Sequence, residues 1–228
     1  MDYRDRVMLW LSASALLLLT TIPCRGAPAR EDCELTLAVV QYGGGGDWYA
    51  NPSSLPNLAG AARARLGKAV CDTVATVEIM DEKLFHYPFL HITGHGNVHF
   101  SHRERLRLRK FLVGGGFLWA DDNYGMDESF RREMKKLFPE NPLTPLKSSH
   151  PLFSSRYRLE GVPKIHEHDG EPARVFGIYF QQRLVVLYTY SADIGDGMED
   201  LKVHNDGERL HELALRMGVN IVSWFLMQ

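Results

Sequence analysis

The chain has 228 residues, 45% of them apolar and 24% charged, with a formal charge of −2. That is ordinary globular composition with enough apolar content for a full core. Near-neutral charge, with no basic stretch interleaved with aromatics, argues against a nucleic-acid partner; the arginine-rich run His102–Lys110 (HRERLRLRK) has apolar residues at helical spacing and reads as a solvated helix face.

The first segment, residues 1–29, reads as a secretory signal. Arg4 and Arg6 lead an apolar run from Val7 to Ile22, and Ala27-Pro28-Ala29 offers a small-x-small cleavage site before Arg30. The run is short for a membrane span, so a membrane is touched only through this signal where it stays uncleaved. Pro23 makes Cys24 a poor lipoprotein site. The expectation is a secreted or periplasmic protein, with residues 30–228 forming one domain. Export leaves Cys33 and Cys71 as a candidate disulfide in an oxidising compartment, with two unpaired buried thiols as the alternative. Cys33 precedes the first strand, and Cys71 is read as lying between the first helix and the second strand.

Leu35–Tyr42 (LTLAVVQY) is a continuous apolar run, as in a strand covered on both faces. It breaks at GGGGDW; a helix over about Leu55–Gly67 follows, then the strand TVATVEI. Tyr87–Thr93 (YPFLHIT) is a third strand ending in GHGN. Ser101 with Glu104 forms a capping box for the next helix, which Gly114–Gly116 ends, and FLWA is the fourth strand. Asp127 and Glu128 open a further helix, and Lys135, Lys136 and Pro139 close it. After a proline-punctuated loop, RVFGIYFQQRLVVLYTY reads as two strands joined at Gln181-Gln182-Arg183. From Glu208 a helical apolar stripe runs through Leu210, Leu213, Met217, Ile221 and Phe225. Alternating strands and helices imply an α/β fold with a mostly parallel sheet, whose ligands bind beyond the carboxyl ends of the strands. The loops GGGGDW, GHGN and DDNYG leave those ends.

The candidate chemistry lies in these loops. Asp121 and Asp122 end a buried strand; because neighbours at a strand end point apart, one is expected to face the cleft and the other to cap the following turn. His95, between two glycines, is a candidate acid/base group, and His99 a weaker one. Trp48 and Tyr49 offer rings for a sugar or other flat ligand. Asp47, Asn123, His150 and Asp193 are further ligand-binding candidates. A zinc site would need three protein ligands. His95, one aspartate and His150 supply suitable atoms, but no HExxH or comparable spacing supports them, so neither metal nor cofactor is expected. No Gly-x-Ser-x-Gly or Gly-x-Cys-x-Gly elbow occurs, so a covalent serine or cysteine hydrolase lacks its nucleophile.

YPFLHITGHG, LRKFLVGGGFLWADDNYG, HPLF and SADIGDG together resemble a bacterial family described as domain-of-unknown-function family 4159, within the class I glutamine amidotransferase-like superfamily. The resemblance covers about residues 35–227 and implies a flavodoxin-like three-layer α/β/α sandwich. In glutamine amidotransferases, the strand after the glycine-ended helix leads to an elbow bearing a nucleophilic cysteine. The strand GGFLWA stands in that place, and its tip carries Asp121 and Asp122. Without a thiol the thioester route cannot run, so amidotransferase activity is not expected. The expected function is binding of a small polar ligand, carbohydrate among the options, at the carboxyl edge of the sheet. Non-thiol hydrolase or isomerase chemistry by His95 with Asp121 or Asp122 would accompany it. The alternative is a non-catalytic scaffold of a cell-envelope complex.

Overall fold

The computed structural model describes residues 33–228; residues 1–29, read above as a secretory signal, lie outside the described residues. Among these, seven strands form one sheet in the order β2-β1-β3-β4-β7-β6-β5. The strands are β1 (Leu35–Gln41), β2 (Val70–Glu78), β3 (Phe89–Ile92), β4 (Phe117–Asp121), β5 (Thr144–Pro145), β6 (Arg174–Phe180) and β7 (Arg183–Tyr190). The first five in that order run parallel, and β6 and β5 pair antiparallel at one edge. This matches the pattern: every residue of β3 and β4 is buried, as for strands covered on both faces.

Helices cover both faces. On one face, α1 (Ser54–Leu66) and α6 (Gly207–Met227) pack Leu55, Leu58, Met217 and Ile221 against Leu37, Phe89 and Trp119. On the other, α2 (His102–Val113) and α3 (Asp127–Leu137) pack Leu108, Phe111, Phe130 and Met134 against Val40, Leu90 and Leu118. α2 opens with the expected capping box. Ser101 Oγ accepts from the Glu104 N–H at 3.3 Å, and the Glu104 carboxylate accepts from the Ser101 N–H at 2.7 Å.

Three features depart from the sequence reading. β2 starts at Val70, so Cys71 lies inside the strand rather than before it. Leu35 pairs with Val70, which sets Cys33 beside Cys71, and the two are joined in a disulfide. The proline loop hides β5, a two-residue edge strand whose Pro145 is tolerated because an edge needs no inward N–H. Past β7, two short helices, α4 (Ile194–Met198) and α5 (Leu201–His204), fill a stretch to which the sequence reading assigned no element.

Candidate functional site

The strand tips of β1, β3, β4 and β7 converge on one edge, where the chain passes from β1 outward to β2 and later to β3 on its other side. A sheet that reverses in this way opens a crevice between the two strands.

Asp121 closes β4 and is fully buried. Its Oδ2 accepts the N–H of Gly195 at 2.6 Å, and its Oδ1 accepts from the Thr189 hydroxyl. Burial pushes its carboxyl up to about 8 against those two hydrogen bonds, and the charges of Asp193 and Asp196 add to the rise. Asp121 is therefore a clamp that holds the first turn of α4 on the strand tip. Gly195 lets the turn sit close there: a Cβ would stand 2.6 Å from Asn51 Nδ2 and 3.2 Å from Asp121 Oδ2, and those side chains would have to give way.

Asp122 points the other way, as adjacent strand residues must. Its Oδ1 accepts the N–H groups of Tyr124 and Met126, each at 3.0 Å, and its Oδ2 accepts from the Tyr188 hydroxyl at 3.1 Å. It caps the turn into α3; burial raises its carboxyl above the usual range despite these bonds. Neither aspartate touches His95.

His95 pairs with Asp47 instead. Its Nδ1 lies 3.0 Å from Asp47 Oδ2, and its backbone N–H donates to Asp47 Oδ1. The two loops close on each other through Gly94, at φ +130°, where a Cβ would stand 2.7 Å from the Tyr42 hydroxyl. The imidazole is half-exposed, and the pair is a carboxylate-oriented histidine at the rim.

Beside that rim, Trp48, Tyr49, Asn51, Pro52, His91 and Thr93 line much of a cavity of about 280 Å³. His91 is 1% exposed; neither ring nitrogen makes a well-aligned hydrogen bond among the described residues, and its one polar neighbour is the Trp119 backbone, which offsets burial only in part. Its ring lies 4.5 Å from that of Trp119, and burial pushes it down to about 4. Asn123 is also fully buried. Its Oδ1 accepts from the Thr93 hydroxyl at 3.3 Å, while its Nδ2 is unpartnered.

A third group gathers around Asp193, a candidate from the sequence, and includes His166 and His168, which the sequence reading passed over. Ile165 donates its N–H to the Ala192 carbonyl, which aligns the extended segment Lys164–His168 with the end of β7. His166 and His168 then face Asp193, Asp196 and Asp206. His168 Nε2 lies 2.5 Å from Asp193 Oδ2; His166 Nδ1 lies 3.1 Å from Asp196 Oδ2 and its Nε2 2.7 Å from Asp206 Oδ1. Burial pushes Asp193 up to about 6, and Asp196 adds to the rise while His168 and His166 oppose it. For His166, burial lowers basicity, but the carboxylates of Asp206, Asp196 and Asp193 outweigh it and hold the imidazole above its ordinary value. The His-x-His spacing of residues 166–168 was the available signal.

His150 belongs elsewhere. Its Nε2 bonds the Tyr179 hydroxyl at 2.7 Å, and its Nδ1 accepts the Leu152 N–H. Tyr179 pairs with Leu184 at the start of β7, so His150 stands at the opposite sheet edge from His95. It caps a turn and takes no part in the site.

No curated protein matches the chain. Residues 36–226 match the family model described as a domain of unknown function, DUF4159, and the chain belongs to that family.

Proposed function

We propose that this is an exported protein that binds a small polar ligand carrying a sugar or other flat ring, in the cavity that the β1–α1 loop and the start of α1 roof over β2, β1 and β3. The observation that carries the reading is His91: a buried imidazole, with no well-aligned hydrogen bond on either nitrogen, in the wall of a 280 Å³ cavity. Buried polar groups are normally satisfied, so each exception calls for a partner. Both nitrogens are sealed in the wall, so a ligand hydroxyl or carbonyl meets one only as the wall opens, while Trp48 and Tyr49 offer ring faces. The scaffold read here is the flavodoxin-like, three-layer sandwich of the amidotransferase-like superfamily. The order β2-β1-β3-β4-β7 supports it, with the crevice at the β1/β3 switch. The disulfide supports export.

The β4 tip carries no thiol, and its two carboxylates are engaged by backbone donors. Hydrolytic or isomerising chemistry at this edge would therefore fall to the His95–Asp47 pair, with His95 as acid/base and Asp47 orienting it. The test is a melting-temperature screen of monosaccharides, nucleosides and small hydroxy acids. A ligand at one hundred times its Kd adds about 2.7 kcal/mol, which raises Tm by roughly 5–10 °C in a domain of this size. The shift is expected to vanish in His91→Phe and shrink in Trp48→Ala. No hit in the screen, or a hit indifferent to both substitutions, would defeat the cavity reading and leave the scaffold alternative.

A further inference from the structure

We infer that His166, His168 and Asp193 hold a divalent transition-metal ion, zinc being the best suited, with Asp196 beside them. The site is distinct from the cavity, and the inference does not rest on the cavity reading. One ligand atom from each of His166, His168 and Asp193 lies within 4.8 Å of the others, and the same holds for His166, Asp196 and His204. His166 Nδ1 stands 3.6 Å from Asp193 Oδ2 and 3.1 Å from Asp196 Oδ2. Ligands of a tetrahedral ion with bonds of 2.0–2.1 Å are about 3.4 Å apart, so these gaps bracket what zinc requires. The tighter contact between His168 and Asp193, at 2.5 Å, must open by roughly 1 Å to admit it.

The surroundings match what metal ligands need. The far nitrogen of His166 meets Asp206 at 2.7 Å, the carboxylate–imidazole arrangement that fixes the tautomer of a ligating histidine. Asn51 Nδ2 donates to Asp196 Oδ1 at 2.7 Å, orienting the second oxygen toward His166. Tyr124 stacks on His168 at 4.9 Å and limits its rotation.

A separate observation points to a bound cation. Asp193 is fully buried, and its Oδ1 has no hydrogen-bond partner among the described residues. An ionised oxygen left bare in the interior is costly, and a metal ion beside Oδ2 neutralises it. Three carboxylates, those of Asp193, Asp196 and Asp206, also converge on the single imidazole of His166, an excess of negative charge that an ion balances. Imidazole with carboxylate favours zinc and its neighbours over magnesium or calcium, which take oxygen alone.

The experiment is calorimetric titration of the full chain with zinc chloride after chelator treatment, repeated with cobalt for its visible spectrum. One ion per chain is expected, with a chelator-reversible rise in Tm. His168→Gln and His166→Gln should weaken binding at least 100-fold, and Asp206→Asn, which touches only the outer shell, roughly 10- to 100-fold. His150→Gln, at the far edge, should bind as the parent does, and His91→Phe should too, which separates this site from the cavity. Circular dichroism checks each fold; should a histidine variant unfold, Asp206→Asn carries the test. A metal-free imidazolium clasped by carboxylates predicts no stoichiometric binding of zinc or cobalt and no response to chelator. That result, or equal affinity in parent, His168→Gln and Asp206→Asn, would overturn the inference.

Discussion

Replacing His91 by Phe tests whether its imidazole is held neutral in an apolar wall. In the folded chain burial lowers it from 6.5 to about 4. The unfolded chain therefore takes up the proton first as pH falls. Stability from this residue is intact above about pH 6.5, drains away through the interval down to about 4, and is constant below it. The gap of about 2.5 pH units, at 1.36 kcal/mol each, is worth about 3 kcal/mol in full and about 2.5 kcal/mol at pH 4.5. Other groups titrate over the same range, so the quantity to measure is the difference between parent and His91→Phe in urea unfolding at pH 7.5 and 4.5. That difference should move by about 2.5 kcal/mol in favour of the variant, or about 1 M in urea midpoint. At pH 7.5 the variant should already match or exceed the parent, since it removes a buried imidazole without a well-aligned hydrogen bond, which costs about 1–3 kcal/mol. Parallel pH profiles would refute the reasoning, because they would mean that His91 titrates alike in both states and is not sealed from water.

Two further outcomes concern the scaffold. Reducing the Cys33–Cys71 bond, or replacing both cysteines with serine, frees a loop of 38 residues and should cost about 4 kcal/mol by loop-closure entropy, read as a lower urea midpoint. Asp121→Asn should lie within about 1 kcal/mol of the parent at pH 7, because an amide keeps an acceptor for Gly195 and a donor for Thr189. Asp121→Ala strands that buried N–H and should cost about 1–3 kcal/mol; equal losses for both would show that charge, not the clamp, is what matters.

Much of the frame was legible because it follows from one-dimensional patterns. β1, β3 and β4 are dominated by apolar residues, and α2 announces itself by Ser101 and Glu104. β2 was read short because Asp72 interrupts the apolar pattern after Val70-Cys71, and only pairing with β1 extends the strand through it. Asp122 as a turn cap was also readable, since an Asp before Asn-Tyr-Gly offers a local acceptor for the next N–H groups. The partners of His95 were not: its bond to Asp47 crosses 48 residues, and no spacing rule reaches that far. His150 misled for the same reason, as proximity to a proline says nothing about which sheet edge a loop returns to. His91 and His166-Glu167-His168 were passed over although each carried a local sign, one an ionisable residue inside a fully apolar strand, the other a pair of imidazoles two residues apart.

The two aspartates that end β4 sharpen how a polar sheet edge should be read. They are the most conspicuous charges in the sequence, yet every oxygen they carry is met by a backbone or hydroxyl donor. A satisfied carboxylate has little left to offer a ligand. The demand for partners falls instead on His91, on Asn123 Nδ2 and on Asp193 Oδ1, buried groups that the fold leaves without a well-aligned hydrogen bond. Desolvating a polar atom without a hydrogen bond costs about 1–3 kcal/mol, so three such residues at one edge are a standing expense in the unliganded chain. Such groups persist where something outside the chain meets them. On that reasoning the aspartates build the edge, by locking α4 and the turn into α3 onto the strand tip, and the unpartnered atoms use it. If an alanine at Asp121 or Asp122 abolished binding while leaving stability untouched, that division of labour would be wrong.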